Sequence, residues 1–258
     1  MNSTFIAGAA LAIAMILTPQ LRADDLLFEG KGTKASLIEL YSSEGCSSCP
    51  PAEAWLNGLK TAPGLWRDIF PVAFHVNYWD NLGWPDRFAS APFTQRQYDY
   101  ASRLGQESVY TPEFVVDGRE WQRGWLSSRL PDQSEKSGDL AVTVHATDGQ
   151  ISARYVAPTA LSEKALALNV ALLGFNAVSD VQRGENSGQK LQHDFVILGF
   201  RTVPLTEDKS GTFSANSFTV PVIAGEKPGA VVAWISDRDG KIVQIAGGWL
   251  AKNATAKE

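Results

Sequence analysis

The chain carries two cysteines in 258 residues, and they stand three positions apart, Cys46-Ser47-Ser48-Cys49. Three chemistries suit such a pair. A structural disulfide across so short a loop removes little unfolded-state entropy, worth about 2 kcal/mol, and ties nothing distant together. A metal site takes two thiolates as half of its ligands, with His75 or His193 as a nitrogen donor for a copper-like set. Thiol–disulfide exchange uses one cysteine to attack and the other to resolve. The local context favours the third. A short apolar strand, Ala35 to Tyr41, leads through Ser42-Ser43-Glu44-Gly45 into Cys46, and a helix reads on from Cys49 with Pro50 and Pro51 in its first turn. Free backbone N–H groups and the dipole at a helix N-terminus stabilise a thiolate. Cys46 is then the more exposed, attacking thiol, and Cys49, inside the first turn, resolves.

Other groups fall near this pair in the expected topology. His75 sits on a second strand, Pro71 to Trp79, which neighbours the first. It is placed either to lower the thiol pKa or to act as a hydrogen-bonded core histidine. Trp79, Asp80 and Trp84 follow at that strand's C-terminal end and form a lip over the thiols, or plain loop packing. Glu44 disfavours a Cys46 thiolate if it lies close. Gly184-Glu185-Asn186-Ser187-Gly188 reads as a long turn, with a loop reaching the thiol site as the functional alternative. His145 and His193 read as satisfied strand residues. Asp237-Arg238-Asp239-Gly240 lacks the further acids of a calcium loop and reads as a turn. No Ser-His-Asp signature, P-loop or GxGxxG is present, which removes the hydrolase and nucleotide-enzyme classes.

The elements that must position these groups alternate over the first half. After the second strand come a helix from Phe93 to Leu104, stopped by Gly105, and a hairpin of Phe114 to Val116 and Arg119 to Arg123 around Asp117-Gly118. A last helix is expected from Trp125 to about Lys136. The polar stretch 131–139 marks a domain boundary. Beyond it, Leu140 to Ala146 and Ile151 to Val156 alternate around Asp148-Gly149. Strands follow at Ala165 to Phe175, Phe195 to Phe200, Phe213 to Val222, Ala230 to Ser236 and Lys241 to Ala246, a grammar of β-sandwiches.

The strand–CxxC–helix unit together with Val109-Tyr110-Thr111-Pro112, just ahead of the strand at Phe114, resembles the thioredoxin superfamily. The resemblance implies a cis Pro112, with Thr111 facing the thiols and the loop offering backbone to a bound partner. More specifically, the segments 42–51, His75-Val76-Asn77-Tyr78-Trp79-Asp80, Leu82-Gly83-Trp84, 109–112 and 184–188 resemble an exported bacterial family known as domain of unknown function 1223. Asn77 departs from that pattern, where aspartate is expected. The resemblance implies a thioredoxin-like domain followed by a β-rich one, and supplies no reaction.

Composition bounds the rest. Hydrophobic residues are 44% and charged residues 20%, with a net charge of -5 and no clustered basic patch, so nucleic acid is not an expected partner. Ile6 to Leu17 is an apolar run too short to span a membrane, and Leu21-Arg22-Ala23 offers a cleavage point. Loss of residues 1–23 removes one arginine and leaves 22 − 28 = -6. The sequence therefore leads to a signal peptide (1–23), an α/β thioredoxin-like N-terminal domain (35–130) and an all-β, sandwich-like C-terminal domain (140–250). The protein is expected to be periplasmic or secreted, with no membrane segment after signal removal. It is expected to exchange thiols and disulfides with a protein or small molecule, with no cofactor beyond a Cys46–Cys49 disulfide. The alternative is a binding protein on the same fold without redox turnover, for copper delivery or protein recognition.

Overall fold

The computed structural model describes residues 24–122, 135–158 and 165–250. The export segment and most of the helix expected over 125–136 lie outside the described residues. The elements run β1 (Leu26–Gly30), β2 (Ser36–Ser42), α1 (Pro50–Gly58), β3 (Ile69–His75), α2 (Ala91–Leu104), β4 (Glu113–Val116) and β5 (Arg119–Glu120). They continue β6 (Asp139–Val144), β7 (Ile151–Val156), β8 (Ala167–Gly174), β9 (Ala177–Asp180), β10 (Lys190–His193), β11 (Val196–Pro204) and β12 (Thr206–Glu207). The last three are β13 (Thr212–Phe218), β14 (Ala230–Ser236) and β15 (Ile242–Trp249). No helix among the described residues is long and apolar enough to cross a membrane.

Local chemistry sets most element ends. Proline occupies the first turn of both helices, where its missing N–H costs nothing. Gly105 closes α2 at φ 68°, donating its N–H back to Ala101 and Ser102. Asp117 and Gly118 turn the β4–β5 hairpin at φ 52° and 81°, a primed turn that suits the twist of the strands. Ala167–Gly174, within the strand expected over Ala165 to Phe175, is β8.

The strands pair in a way that corrects the expected fold class. There is no α/β thioredoxin-like N-terminal domain beside a separate all-β domain. Strand predominates, α1 and α2 are the only α-helices among the described residues, and the halves share large sheets. One mixed sheet of eight strands has the order β15-β14-β8-β11-β3-β2-β4-β5. Strand β3 runs parallel to β2, from Ser36 opposite Ile69 to Ser42 opposite His75. Its other edge accepts β11, again parallel, at Val196 opposite Ala73. Conversely β1, from the N-terminal side, pairs with β6 in a five-stranded sheet of order β1-β6-β7-β13-β12. Alternating sequence announces that a strand exists but not whose edge it meets. An open edge on β3 is an unpaired ladder, and β11 fills it.

The shared sheet is buried on both faces over much of its width. In β14, Val231, Ala233 and Ile235 pack with Leu140, Val142, Tyr155 and Phe213 of the five-stranded sheet, whereas Val232 and Trp234 face the core with Phe74 and Leu173. The period of two thus divides one strand between two cores, and its sequence reads as continuously apolar. Helix α2 is locked to β2 by a buried charge pair. Arg96 Nε lies 2.8 Å from Glu39 Oε2, and the Tyr100 hydroxyl donates to Glu39 Oε1 at 2.5 Å.

Candidate functional site

The parallel register of β2 and β3 brings Ser42 and His75 level at the C-terminal edge of the sheet. From there the chain turns through Ser43-Glu44-Gly45 into the cysteine loop. The Cys46 N–H donates to the Ser43 carbonyl at 3.1 Å, and the Cys49 N–H to the Cys46 carbonyl at 3.2 Å. Gly45 lets the loop pass close to Trp79, where an added Cβ would stand 3.0 Å from Trp79 Cβ. Cys49 precedes the first residue of α1, so both thiols sit at a helix N-terminus.

Both cysteines are buried, Cys46 at 1% exposure and Cys49 at 0%, so the sequence distinction between an exposed and a hidden thiol is small in this structure. Their electrostatics separate them more sharply. The Cys49 thiol donates to Cys46 sulfur and is the main reason that Cys46 is lowered to about 6, with help from Ser48 and Thr111 against the effect of burial. Burial pushes the Cys49 thiol far above the usual thiol range, and the Cys46 thiolate adds to this. Cys46 Sγ stands 3.2 Å from Ser48 Oγ and 3.7 Å from the Thr111 carbonyl. The Thr111–Pro112 peptide is cis.

The other residues singled out from sequence divide into two sets. Trp79 joins the thiol side, since its indole N–H donates to Thr111 Oγ1 at 2.8 Å and ties the loop after β3 to the loop before β4. Trp84, Glu44, Asp80 and His75 instead build the floor beneath the loop. Trp84 donates to Glu44 Oε2 at 2.6 Å. Trp84 holds the Glu44 carboxylate there, and the groups that lower Cys46 most are Cys49, Ser48 and Thr111. Asp80 Oδ1 accepts the Asp86 N–H at 3.1 Å, and burial raises the Asp80 carboxyl above its ordinary value. His75 meets Asp86, with Nδ1 and Oδ2 2.6 Å apart, rather than a thiol. Asn77 bridges to α2 by accepting from Thr94 Oγ1 at 2.8 Å.

Four more residues complete this floor: Asp86 and Glu53, which sequence reasoning did not single out, and His193 and Asn186, which it raised only as alternatives to plain strand and turn roles. Asp86 receives the Glu44 N–H at 2.8 Å as well as His75. Glu53, in the first turn of α1, accepts from Ser42 Oγ and pairs with His193 Nδ1. His193 Nε2 lies 3.2 Å from Glu44 Oε1. Burial opposes charge on His193, but Glu53 and Glu44 outweigh it and lift the imidazole to about 10. Burial likewise opposes charge on Glu53, and His193 holds its carboxyl below the usual value all the same. The fourth is Asn186, fully buried, whose Nδ2 donates to the Glu44 and Cys46 carbonyls at 2.9 Å each. Beside it, Glu185 accepts from Ser47 N at 3.0 Å and from Ser47 Oγ at 2.7 Å. The 184–188 turn therefore reaches the cysteine loop, as its functional reading allowed. A cleft of about 240 Å³ opens next to Ser48, lined by Pro51, Tyr110, Pro112, Phe114 and Trp121.

Fold and site define a mixed-sheet β protein with a paired-cysteine loop at a strand–helix junction, clasped by a turn from its C-terminal half. The chain belongs to the family described as protein of unknown function (DUF1223), whose model matches residues 37–235. No curated protein matches it significantly. Two solved structures are similar in fold. One is a crystal structure of a protein from Agrobacterium tumefaciens, 22% identical, with a TM-score of 0.53 over 87% of this chain and 98% of that one. The other is HBP35 of Porphyromonas gingivalis, 17% identical, with a TM-score of 0.58 over 89% of this chain and 80% of that one.

Proposed function

We propose that the protein is a thiol–disulfide oxidoreductase, exported to the periplasm or secreted, in which Cys46 attacks and Cys49 resolves. The observation that carries this reading is the split between the two thiols, Cys46 lowered to about 6 and Cys49 pushed far up by burial. At neutral pH one sulfur is then a thiolate and the other a protonated donor, which is the division of labour that exchange requires. The Cys46 thiolate attacks one sulfur of a partner disulfide. The partner S–S bond breaks, a Cys46–partner bond forms, and the departing thiolate takes a proton. Cys49 then loses its proton and attacks Cys46 sulfur, releasing the second partner thiol and leaving a Cys46–Cys49 disulfide. The partner is reduced and the protein oxidised; the reverse sequence oxidises a dithiol. A stabilised Cys46 thiolate favours the reduced protein and so makes its disulfide the stronger oxidant. The Thr111 carbonyl beside Cys46 and the mixed, partly aromatic cleft past Pro112 suit an extended partner segment near its cysteine.

The test is a redox titration in glutathione buffers that reads the free thiols of Cys46 and Cys49. A midpoint between about -270 and -120 mV is expected, and one well below about -300 mV refutes turnover. Cys46→Ser should reduce exchange with a disulfide substrate to background. Wild-type protein that is itself no faster than background also ends the proposal.

A further inference from the structure

We propose that Glu53, His75 and His193 form a buried site for a divalent transition-metal ion, with zinc the ion best suited to the donor set. This inference is independent of the redox reading and involves neither cysteine. The three residues come from the first turn of α1, the end of β3 and the end of β10, and one donor atom from each lies within 4.8 Å of the others. They are 6%, 1% and 1% exposed.

The second observation is a set of orphaned atoms. Nε2 of His75 and Nε2 of His193 are buried with no hydrogen-bond partner, and so is Oε1 of neighbouring Glu44. Buried polar atoms are almost always satisfied; His193 Nε2 and Glu44 Oε1 face each other as an ion pair, and His75 Nε2 is left to ask for a partner. His75 Nε2 stands 3.9 Å from Glu53 Oε1, and His193 Nε2 3.2 Å from Glu44 Oε1 without hydrogen-bonding geometry. The second nitrogen of each ring is already engaged. His75 Nδ1 meets Asp86, a carboxylate outside the ligand set, whereas His193 Nδ1 meets Glu53, itself a proposed ligand, so the outer support applies to His75. A carboxylate on the far nitrogen of a histidine is the usual support of a metal ligand, because it fixes the tautomer and strengthens the donor.

Charge points the same way. Glu44, Glu53 and Asp86 bring three buried carboxylates together. Among the described residues the ion-pair partners of these three are the two imidazoles. Buried carboxylates are costly unless compensated. A dication supplies two positive charges and competes with protons for the same ring nitrogens. Two histidines and one glutamate are a known zinc set with one position left open, and they contain no soft donor that would prefer copper(I).

The experiment uses the full chain as the Cys46→Ser, Cys49→Ser double variant, so that thiolates contribute nothing. Metal-stripped protein is equilibrated with zinc, desalted and assayed for bound metal, with the thermal midpoint recorded alongside. Retention of about one zinc per chain and a raised midpoint are expected, since an ion that binds only the native state stabilises it. Adding His75→Gln to that background should cut retention at least about tenfold, in line with the loss of one of three ligands. Should that variant fail to fold, cobalt(II) added to the double variant provides the second measurement. Visible absorption typical of nitrogen and oxygen ligation supports the site, and its absence overturns it. Retention below about one zinc per ten chains with an unmoved midpoint overturns the proposal, as does full retention by a folded His75→Gln variant.

Discussion

Replacing Cys49 by alanine isolates the contact that makes Cys46 acidic. In the native site the Cys49 thiol is the leading stabiliser of the Cys46 thiolate, ahead of Ser48 and Thr111, and Cys46 titrates at about 6. At pH 7 a thiol of that pKa is about nine-tenths ionised, against roughly 3% for an ordinary thiol near 8.5. The variant keeps Ser48 Oγ at 3.2 Å, so its midpoint should fall between about 7 and 8.5 rather than at the ordinary value. The assay is the rate of iodoacetamide alkylation against pH on reduced protein. Intrinsic nucleophilicity rises with pKa at a Brønsted slope of about 0.4–0.5, so a full shift offsets a ~30-fold loss of thiolate with a ~10-fold more reactive one. The variant should therefore be only about two- to threefold slower at pH 7, yet up to about tenfold faster on the alkaline plateau. Two curves that cross are the signature. Cys49→Ser, whose hydroxyl still donates, should give an intermediate midpoint. A wild-type midpoint near ~8.5, or a Cys49→Ala curve superimposable on wild type, would refute the reasoning.

Four further outcomes follow from the geometry. Cys46 has a folded pKa of about 6, below its unfolded value near ~8.5, so the unfolded state binds the extra proton between them; reduced wild type should gain stability over Cys46→Ser as pH rises through that window and gain nothing below it, in urea titrations at several pH values. Asn186→Ala strands two buried carbonyls and should cost about 3 kcal/mol by denaturant unfolding, a loss under about 0.5 kcal/mol counting against the clasp. Arg96→Leu leaves Glu39 buried without its cation and should cost about 3–5 kcal/mol in the same assay, and a neutral effect would show that the pair is dispensable. Glu185→Ala frees Ser47 N and Oγ at the surface and should speed Cys46 alkylation several-fold without shifting its pH midpoint; an unchanged rate would mean that the turn does not restrain the loop.

Legibility in this chain tracked the range of the interaction involved. Pro50, Gly105 and Asp117-Gly118 announced their element ends because capping and turn geometry are settled within a few residues. Cys46 and Cys49 announced themselves by spacing, and Thr111 came to the thiols as the family resemblance implied. His75 kept two readings open, because a strand position tells which neighbours are near but not which of them a ring meets; it is a buried histidine bonded to Asp86, eleven residues on in a loop with no periodic signal. Nothing local singles out Glu53, an acid in the first turn of a helix. Its burial depends on His193 arriving from 140 residues away.

The sequence by itself marked the paired cysteines, the family, the start of α1 at Pro50-Pro51, the Gly105 stop of α2 and eleven of the fifteen described strands, missing β1, β9, β10 and β12. It also marked 184–188 as a turn. Only the tertiary structure decided that β11 would close the open edge of β3, merging two expected domains into one eight-stranded sheet. With that merger the turn bearing Asn186 lands on the cysteine loop, and His193 lands on Glu53. The reason is physical: alternation specifies which face of a strand is buried, but edge pairing is made by backbone groups that every residue carries alike.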